Sequence, residues 1–145
     1  METPKTLVVT GASRGIGLAV AKRFASRGVR IISIARTPCP LSGAESLLCD
    51  LARPGDIERI TPALQAIGPG KVALVHCAAV HGGGGLGSVD LGNMRQVLEA
   101  SLVAPVQLNQ ALLPRMEPGS SIVYVGSTLS EKAVPGTLAY VVAKH

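Results

Sequence analysis

Short runs of aliphatic and β-branched residues alternate along the chain with longer segments in which apolar residues recur every three or four positions. The short runs predict five strands, at Thr6–Thr10, Arg30–Ala35, residues 46–49, Val72–His76 and residues 121–125. The longer segments predict helices, at residues 15–27, through residues 57–67, at residues 89–113 and at residues 137–145. Strands joined by such segments form right-handed crossovers and a parallel sheet. The pattern therefore predicts a doubly wound α/β fold.

Three residues are expected to interrupt the helical pattern. Gly28 is typical of the position just beyond a helix C-terminus, so the first helix is expected to stop before it. Pro62 lies inside the second segment and predicts a break, or a second start with Thr61 as the N-cap. Pro105 is expected to kink the third segment, because proline removes a backbone hydrogen bond.

Length and composition are those of one folded domain. The chain has 145 residues, and domains commonly hold ~100–200. Hydrophobic residues make up 47% and charged residues 16%, so the chain is too apolar for disorder. Two Tyr, one Phe and no Trp leave the core to aliphatic residues, as in a buried parallel sheet. We predict a single domain over residues 1–145.

Cysteine usage and hydropathy argue against several classes of protein. The three cysteines are an odd number without a CxxC pair, which argues against a disulfide framework and a zinc site, and no metal is expected. The first residues lack the apolar segment of a signal peptide. No uncharged apolar stretch approaches the ~20 residues of a membrane-spanning helix. We expect a cytoplasmic protein without a membrane partner.

The positive charge is concentrated in the first quarter of the chain. Residues 1–36 carry a net charge of +6, whereas residues 37–145 carry −1. A nucleic-acid-binding surface usually combines basic residues with stacking aromatics, and aromatics are scarce here. We therefore expect no nucleic-acid partner, and a local anion site for a small phosphate-bearing ligand instead.

A glycine-rich turn lies where the first strand meets the first helix. The turn reads TGASRGIG at residues 10–17, with Gly11, Gly15 and Gly17. Glycines there let the backbone approach a pyrophosphate at the positive end of the helix. The spacing differs from GxGxxG, so an ordinary strand–helix turn is the alternative.

Further motifs follow in order along the chain. Asp50 and Leu51 follow the third strand, HCAA at residues 76–79 follows the fourth, GSSIVYVGS occupies residues 119–127, and YVVAK occupies residues 140–144. With TGASRGIG, this series resembles the short-chain dehydrogenase/reductase family, with HCAA at the place of the family's NNAG and YVVAK matching its YxxxK. The resemblance implies a Rossmann-type sheet in the order 3-2-1-4-5, lacking the C-terminal part of the family fold.

The resemblance also implies the residues that bind a dinucleotide cofactor. They come from the glycine-rich turn, the ends of the next three strands and the YxxxK helix: Gly11, Ser13, Arg14, Gly15, Ile16, Gly17, Arg36, Asp50, Leu51, Ala78, Ala79, Tyr140 and Lys144.

Catalysis is expected at Ser127, Tyr140 and Lys144. Tyr140 and Lys144 are four residues apart and share a helix face. An ammonium beside a phenol favours the phenolate, so tyrosine exchanges a proton more readily near neutral pH. Ser127 is positioned to hydrogen-bond the substrate oxygen. The resemblance implies hydride transfer between the nicotinamide and a carbonyl compound or secondary alcohol, with Lys144 also binding the nicotinamide ribose.

Charge at the second strand predicts the cofactor to be NADP(H). Enzymes of this fold that use NAD commonly place an acid at the end of that strand, where this chain has Ile34, Ala35 and Arg36. Arg36 and Arg14 offer two guanidinium groups to a 2′-phosphate. The alternative is that both are surface arginines.

The chain departs from the family pattern at three residues with expected roles. His76 and Cys77 replace the two asparagines of NNAG; we expect a hydrogen-bonded strand-end residue and a small buried hydrophobe, respectively. Ser101 takes the place of the family's helix Asn, which supports the catalytic Lys. Ser101 is expected either to hold a water for Lys144 or to serve only as a packing residue.

Two segments bear on activity and assembly. The glycine-rich loop HGGGGLG at residues 81–87 is expected to be simply flexible. The chain ends at His145, one residue past Lys144, so it is expected to be a fragment or a truncated product. A catalytically silent dinucleotide-binding or interaction module is therefore the alternative to an enzyme. A homo-oligomer is expected if a full-length chain exists.

Overall fold

The computed structural model describes residues 4–145. Within them, five parallel strands form one sheet in the order β3-β2-β1-β4-β5, which confirms the predicted doubly wound Rossmann-type fold. The strands are β1 (Thr6–Thr10), β2 (Arg30–Ala35), β3 (Glu45–Leu48), β4 (Val72–His76) and β5 (Ser121–Tyr124). The helices are α1 (Gly15–Ala25), α2 (Pro54–Gln65), α3 (Leu91–Leu98), α4 (Ala104–Leu112) and α5 (Leu138–Lys144).

The three central strands are buried because helices cover both faces of the sheet. Alternate residues of β1 enter different cores: Leu7 packs with α1, and Val8 packs with α2 and α4. In register, Thr10 aligns with Ile34 of β2 and His76 of β4. The carboxyl ends of these strands therefore meet at one edge, where ligands bind in folds of this type.

The predicted break at Pro62 is wrong. Helix α2 runs without interruption through Pro62, and Thr61 is not an N-cap; its hydroxyl donates to the Ile57 carbonyl at 2.8 Å. Pro62 is exposed, whereas Ile57 and Leu64 are buried on the opposite face. The hydrogen bond that proline removes therefore faces solvent. The buried apolar residues of α2 pack against the sheet both before and after Pro62, and this packing keeps the helix continuous.

The predicted distortion at Pro105 takes the form of a π-helical stretch. Residues Glu99–Val103 form wider turns between α3 and α4, and Pro105 lies in the first turn of α4. The proline ring would clash with the carbonyl of Ser101 in a regular helix, and the wider turn relieves that clash. Ser101 therefore lies in an irregular segment of backbone. Single turns of 3₁₀ helix follow at Leu113–Arg115 and Thr128–Ser130.

The remaining boundaries lie close to those predicted. Strands β3 and β5 begin or end one residue earlier than expected, and α1 ends at Ala25. Gly28 follows with φ +74°, a conformation that favours glycine. Helix α5 packs against α3 through Ala139, Ala143 and Val97. This contact brings the YVVAK segment to the same edge of the sheet as the glycine-rich turn.

Candidate active site

A cavity of about 470 Å³ lies at the carboxyl ends of β1 to β4. It brings together the residues predicted to bind the cofactor outside helix α5, namely Gly11, Ser13, Arg14, Gly15, Ile16, Gly17, Arg36, Asp50, Leu51, Ala78 and Ala79. Tyr140 and Lys144 do not line this cavity. Thr37 and His81 also line it, although neither was predicted to belong to the site.

The turn between β1 and α1 requires glycine for two different reasons. Gly11 and Gly15 have φ of +74° and +58°, where other residues are strained. Gly17 is buried, and a Cβ there would lie 2.5 Å from the carbonyl oxygen of Gly11. The space beside Gly15 is open. The turn therefore presents bare backbone and the N-terminus of α1 to the cavity, which suits an anionic group.

Arg14 and Arg36 are both exposed at the rim of the cavity. Within residues 4–145, neither guanidinium has a hydrogen bond or an ion pair. By contrast, Arg30 at the other end of β2 forms a two-point pair with Glu45, with N···O distances of 2.6 and 2.8 Å. The two rim arginines are therefore positive charges available to a ligand.

Asp50 and Leu51 form the floor of the cavity beyond β3. The Asp50 carboxylate accepts the N–H of Ala52 at 3.1 Å, and the Asp50 N–H donates to Asp56 at 2.8 Å. That second bond is the main cause that lowers the pKa of Asp56. Leu51 is buried and lines both this cavity and a second one. Asp50 is thus held in place by its own turn.

The second cavity, of about 300 Å³, contains Lys144 and Ser101. The Lys144 Nζ donates to the Val125 carbonyl at 3.0 Å and lies 5.8 Å from the centre of the Tyr140 ring. The spacing of four residues therefore places ammonium and phenol on one face of α5, as predicted. Ser101 Oγ is buried and has no hydrogen-bond partner in the described part of the chain.

Ser127 lies in a tight turn three residues beyond Tyr124, the last residue of β5. Its Oγ accepts the N–H of Leu129 at 3.1 Å, and its carbonyl accepts the Ser130 hydroxyl at 2.6 Å. These bonds cap the turn Thr128–Ser130 and leave the Ser127 hydroxyl proton free to donate. Ser127 lines neither of the two cavities described above.

His76 is a hydrogen-bonded residue at the end of β4, which confirms the expectation. Its Nε2 lies 3.0 Å from Oδ1 of Asn109, whose amide donates to the Tyr124 hydroxyl, and its ring stacks on Tyr124 at 4.6 Å. Its Nδ1 is buried without a partner within residues 4–145. Burial lowers the pKa of His76, and the Asn109 contact opposes this in part.

Cys77 packs with apolar neighbours, as expected, but it is half-buried beside the core and not fully buried. Burial raises the pKa of its thiol, and the charge of Lys144 opposes that shift. Thr10 hydrogen-bonds to the backbone at this point, a contact that was not predicted from the sequence. Its Oγ1 accepts the N–H groups of Cys77 and Ala78 at 3.1 and 3.0 Å, and so fastens β1 to the segment after β4.

The loop at residues 81–87 is structured in a way that its glycine content did not suggest. Gly82 is buried, and a Cβ there would meet Asn93, Val97 and Ala139. Gly84, with φ +99°, pairs with Thr137 at the start of α5 and accepts the N–H of Leu138 at 3.2 Å. The expectation of simple flexibility is therefore wrong for these two positions: glycine is needed there for close approach.

Residues 4–145 contain no helix with the length and apolar character that crossing a membrane requires. The same residues contain no cluster of three or more His, Cys, Asp or Glu side chains suited to a metal ion.

Comparisons with known proteins match nearly the whole chain. The model of the short chain dehydrogenase family matches residues 5–145. The short chain dehydrogenase penD of Penicillium thymicola is 32% identical over 157 residues, covering 94% of this chain and 56% of that protein. The 3-oxoacyl-(acyl-carrier-protein) reductase of Rattus norvegicus is 31% identical over 150 residues, covering 97% of this chain and 63% of that protein.

A solved structure gives the same match in three dimensions. A metagenomic short-chain oxidoreductase in complex with NADP is 31% identical, with a TM-score of 0.85 over 97% of this chain and 69% of that one. The chain spans between about half and two-thirds of the length of the curated relatives it matches.

Proposed function

Because this chain belongs to the short-chain dehydrogenase/reductase family, we propose that it carries out NADP(H)-dependent hydride transfer with a carbonyl compound or secondary alcohol. We propose further that residues 1–145 form one NADP-binding domain. The chain spans only part of its relatives' length. The activity and substrate that we assign to the whole protein are therefore also proposals.

The observation that carries the choice of NADP(H) is the pair of arginines at the cavity rim, which have no hydrogen bond or ion pair within residues 4–145. Arg14 lies on the turn after β1, and Arg36 directly follows β2. The last residues of β2 include no Asp or Glu. An acid there would bind the ribose 2′-hydroxyl of NAD, whereas guanidinium groups bind a 2′-phosphate. The NADP complex of the metagenomic relative supports the same choice.

The turn after β1 fits the pyrophosphate of such a cofactor. Gly15 leaves open space above the backbone, whereas a Cβ at Gly17 would collide with Gly11. The N-terminus of α1 adds the partial positive charge of unsatisfied N–H groups. Asp50 and Leu51 would border the adenine, and Ala78 and Ala79 would border the ribose and nicotinamide.

Tyr140, Lys144 and Ser127 would perform the proton transfer and hold the substrate. The bound cofactor supplies the hydride to the carbonyl carbon. In that direction the Tyr140 hydroxyl gives its proton to the carbonyl oxygen as the C–O double bond becomes a single bond. The Lys144 ammonium, near the Tyr140 ring, stabilises the phenolate that remains. Ser127 would donate its hydroxyl proton to the substrate oxygen.

Ser101 is proposed to assist Lys144 through a bound water. Both line the second cavity, and the buried Ser101 Oγ has no partner among the described residues. A water there would satisfy that oxygen and meet the ammonium protons of Lys144 that Val125 does not use.

The test is NADPH oxidation with a panel of ketones, compared with Tyr140→Phe. The wild type should turn over, and Tyr140→Phe should be slower by about a thousandfold, the range of general acid catalysis. Both proteins should gain thermal stability with NADPH, because Tyr140→Phe keeps the cofactor cavity.

Two outcomes separate this proposal from its rival. NADPH stabilisation without turnover would identify a silent dinucleotide-binding module. Equal rates for wild type and Tyr140→Phe would exclude Tyr140 as the acid.

A further inference from the structure

His81 contacts the proposed catalytic tyrosine directly. Its imidazole stacks on the Tyr140 ring, with ring centroids 4.4 Å apart and planes within 20° of parallel. His81 also lines the cofactor cavity, whereas Tyr140 does not. The imidazole therefore forms the link between that cavity and the phenol ring.

The backbone around His81 holds this stack in place. The next residue, Gly82, is buried against Val97 and Ala139, and Ala139 is the chain neighbour of Tyr140. Two residues further on, Gly84 pairs with the first residues of α5. The loop is thus attached to α5 just beyond His81, and this attachment sets the imidazole against the ring.

The Tyr140 side chain is 9% exposed, and the ring contacts seen for it are with the His81 imidazole and the Lys144 ammonium. No group within residues 4–145 hydrogen-bonds its hydroxyl, and helix α5 has seven residues. The second torsion of a tyrosine side chain lies in a broad well, so the phenol plane needs a neighbour to hold it. Parallel stacking of two rings supplies such a restraint beyond the burial of area.

Resting on the proposed function, we propose that His81 is a positioning residue for Tyr140. Its flat face holds the phenol ring in the orientation from which the hydroxyl gives its proton to the substrate. The role belongs to the ring and not to the imidazole nitrogens. A phenylalanine at this position should therefore replace it, and an alanine should not.

The kinetic test compares His81→Ala with His81→Phe, with Leu86→Ala as the control on the same loop, because Leu86 is 90% exposed. We expect kcat to fall about tenfold in His81→Ala and to stay within about twofold of wild type in His81→Phe. The affinity for NADPH should change less than kcat in both. An unchanged kcat in His81→Ala, or an equal loss in both variants, would overturn the proposal.

A second measurement does not depend on turnover. The chain has two Tyr, one Phe and no Trp, so its aromatic NMR spectrum is sparse, and Tyr140→Phe assigns the Tyr140 resonances. Their ring-current shifts should be lost in His81→Ala and largely kept in His81→Phe. If His81→Ala leaves the Tyr140 resonances unmoved, the stack is absent and the proposal fails. If the shifts behave as expected but no ketone is reduced, the proposed function fails and the contact stands.

Discussion

Strands β4 and β5 pair in register, yet they differ in how the protein surrounds them. All five residues of β4 are buried, whereas three of the four residues of β5 are exposed and the fourth is half-buried. β4 leads to the cofactor cavity and β5 leads to Ser127. The proposed cofactor end is therefore supported by the protein core. The proposed catalytic end is supported by β5, an edge strand of the described sheet, by the seven-residue helix α5 and by the loop at residues 81–87.

This difference explains why side-chain positions are set differently at the two ends. At the proposed cofactor end, the shape of the cavity is set by the backbone of buried strands and by the two hydrogen bonds that Thr10 accepts from Cys77 and Ala78. At the proposed catalytic end, the Tyr140 ring stacks on the His81 ring, and Lys144 donates to the carbonyl of Val125, the residue after β5. Four predictions test the comparison, and they are given in order of expected effect.

The largest effect is expected for Gly17→Ala at the cofactor end. The new Cβ would lie 2.5 Å from the Gly11 oxygen, and backbone atoms do not move aside cheaply. We expect a loss of about 3 kcal/mol in the free energy of unfolding, together with loss of NADPH binding. The matched change at the catalytic end is Gly126→Ala, which meets open space and should stay within about 0.5 kcal/mol. Denaturant unfolding measures both, and equal losses would contradict the comparison.

Arg36→Asp should change the cofactor preference without unfolding the protein. The substitution puts a carboxylate at the cavity rim, where it repels a 2′-phosphate and accepts a ribose 2′-hydroxyl. We expect the ratio of NADPH to NADH affinity to fall about 100-fold. Fluorescence titration with both cofactors measures it. Comparable wild-type affinities for the two cofactors, or an intact preference in the variant, would refute the assignment of Arg36.

The paired residues Val75 and Val123 test the strands themselves. They align between β4 and β5, but Val75 is 7% exposed and Val123 is 45% exposed. Val75→Ala should cost about 2 kcal/mol, because it leaves a cavity in a core that cannot fully collapse. Val123→Ala should cost less than about 1 kcal/mol. Similar midpoints in thermal unfolding would show that β5 is as well covered as β4.

The smallest effect concerns the pH dependence set by His76. Burial lowers the pKa of His76 in the folded state relative to about 6.5 in the unfolded chain, so the folded protein favours the neutral ring. This stability is present above about pH 6.5 and is lost as the pH falls through the folded pKa. His76→Asn should flatten the decline in Tm below that pH, whereas His145→Ala, which removes an exposed ring, should not. The same decline in both variants would exclude His76 as its source.

Much of the fold and cofactor cavity could be predicted because those features depend on local patterns. Continuous apolar runs at Thr6–Thr10 and Val72–His76 specify buried parallel strands wherever they pack. The glycine-rich turn must lie at the end of β1, and parallel strands bring their carboxyl ends together. The residues predicted around the cavity therefore meet there because of topology alone.

Other features could not be predicted because they depend on distant parts of the chain. Pro62 fits in a continuous helix because it lies on the solvent-exposed face of α2. The local sequence does not show which face of the helix will be exposed. The contact between His81 and Tyr140 joins residues far apart in sequence, and it exists because Gly82 and Gly84 bring the loop onto α5. Glycines alone do not distinguish a flexible loop from a closely packed one.

The sequence by itself therefore determined the alternation of strands and helices, the glycine-rich turn and the charges at its rim, since these follow from periodicity and residue type. The strand order was implied by the family resemblance and is confirmed by the structure. The tertiary structure decided which polar groups have partners. Within the described chain, Arg14 and Arg36 have no partner, whereas the Asp50 carboxylate accepts a hydrogen bond from Ala52 in its own turn. The His81 ring stacks on the Tyr140 ring. The physical reason is that burial and pairing depend on what packs against a side chain, and only the folded chain supplies those neighbours.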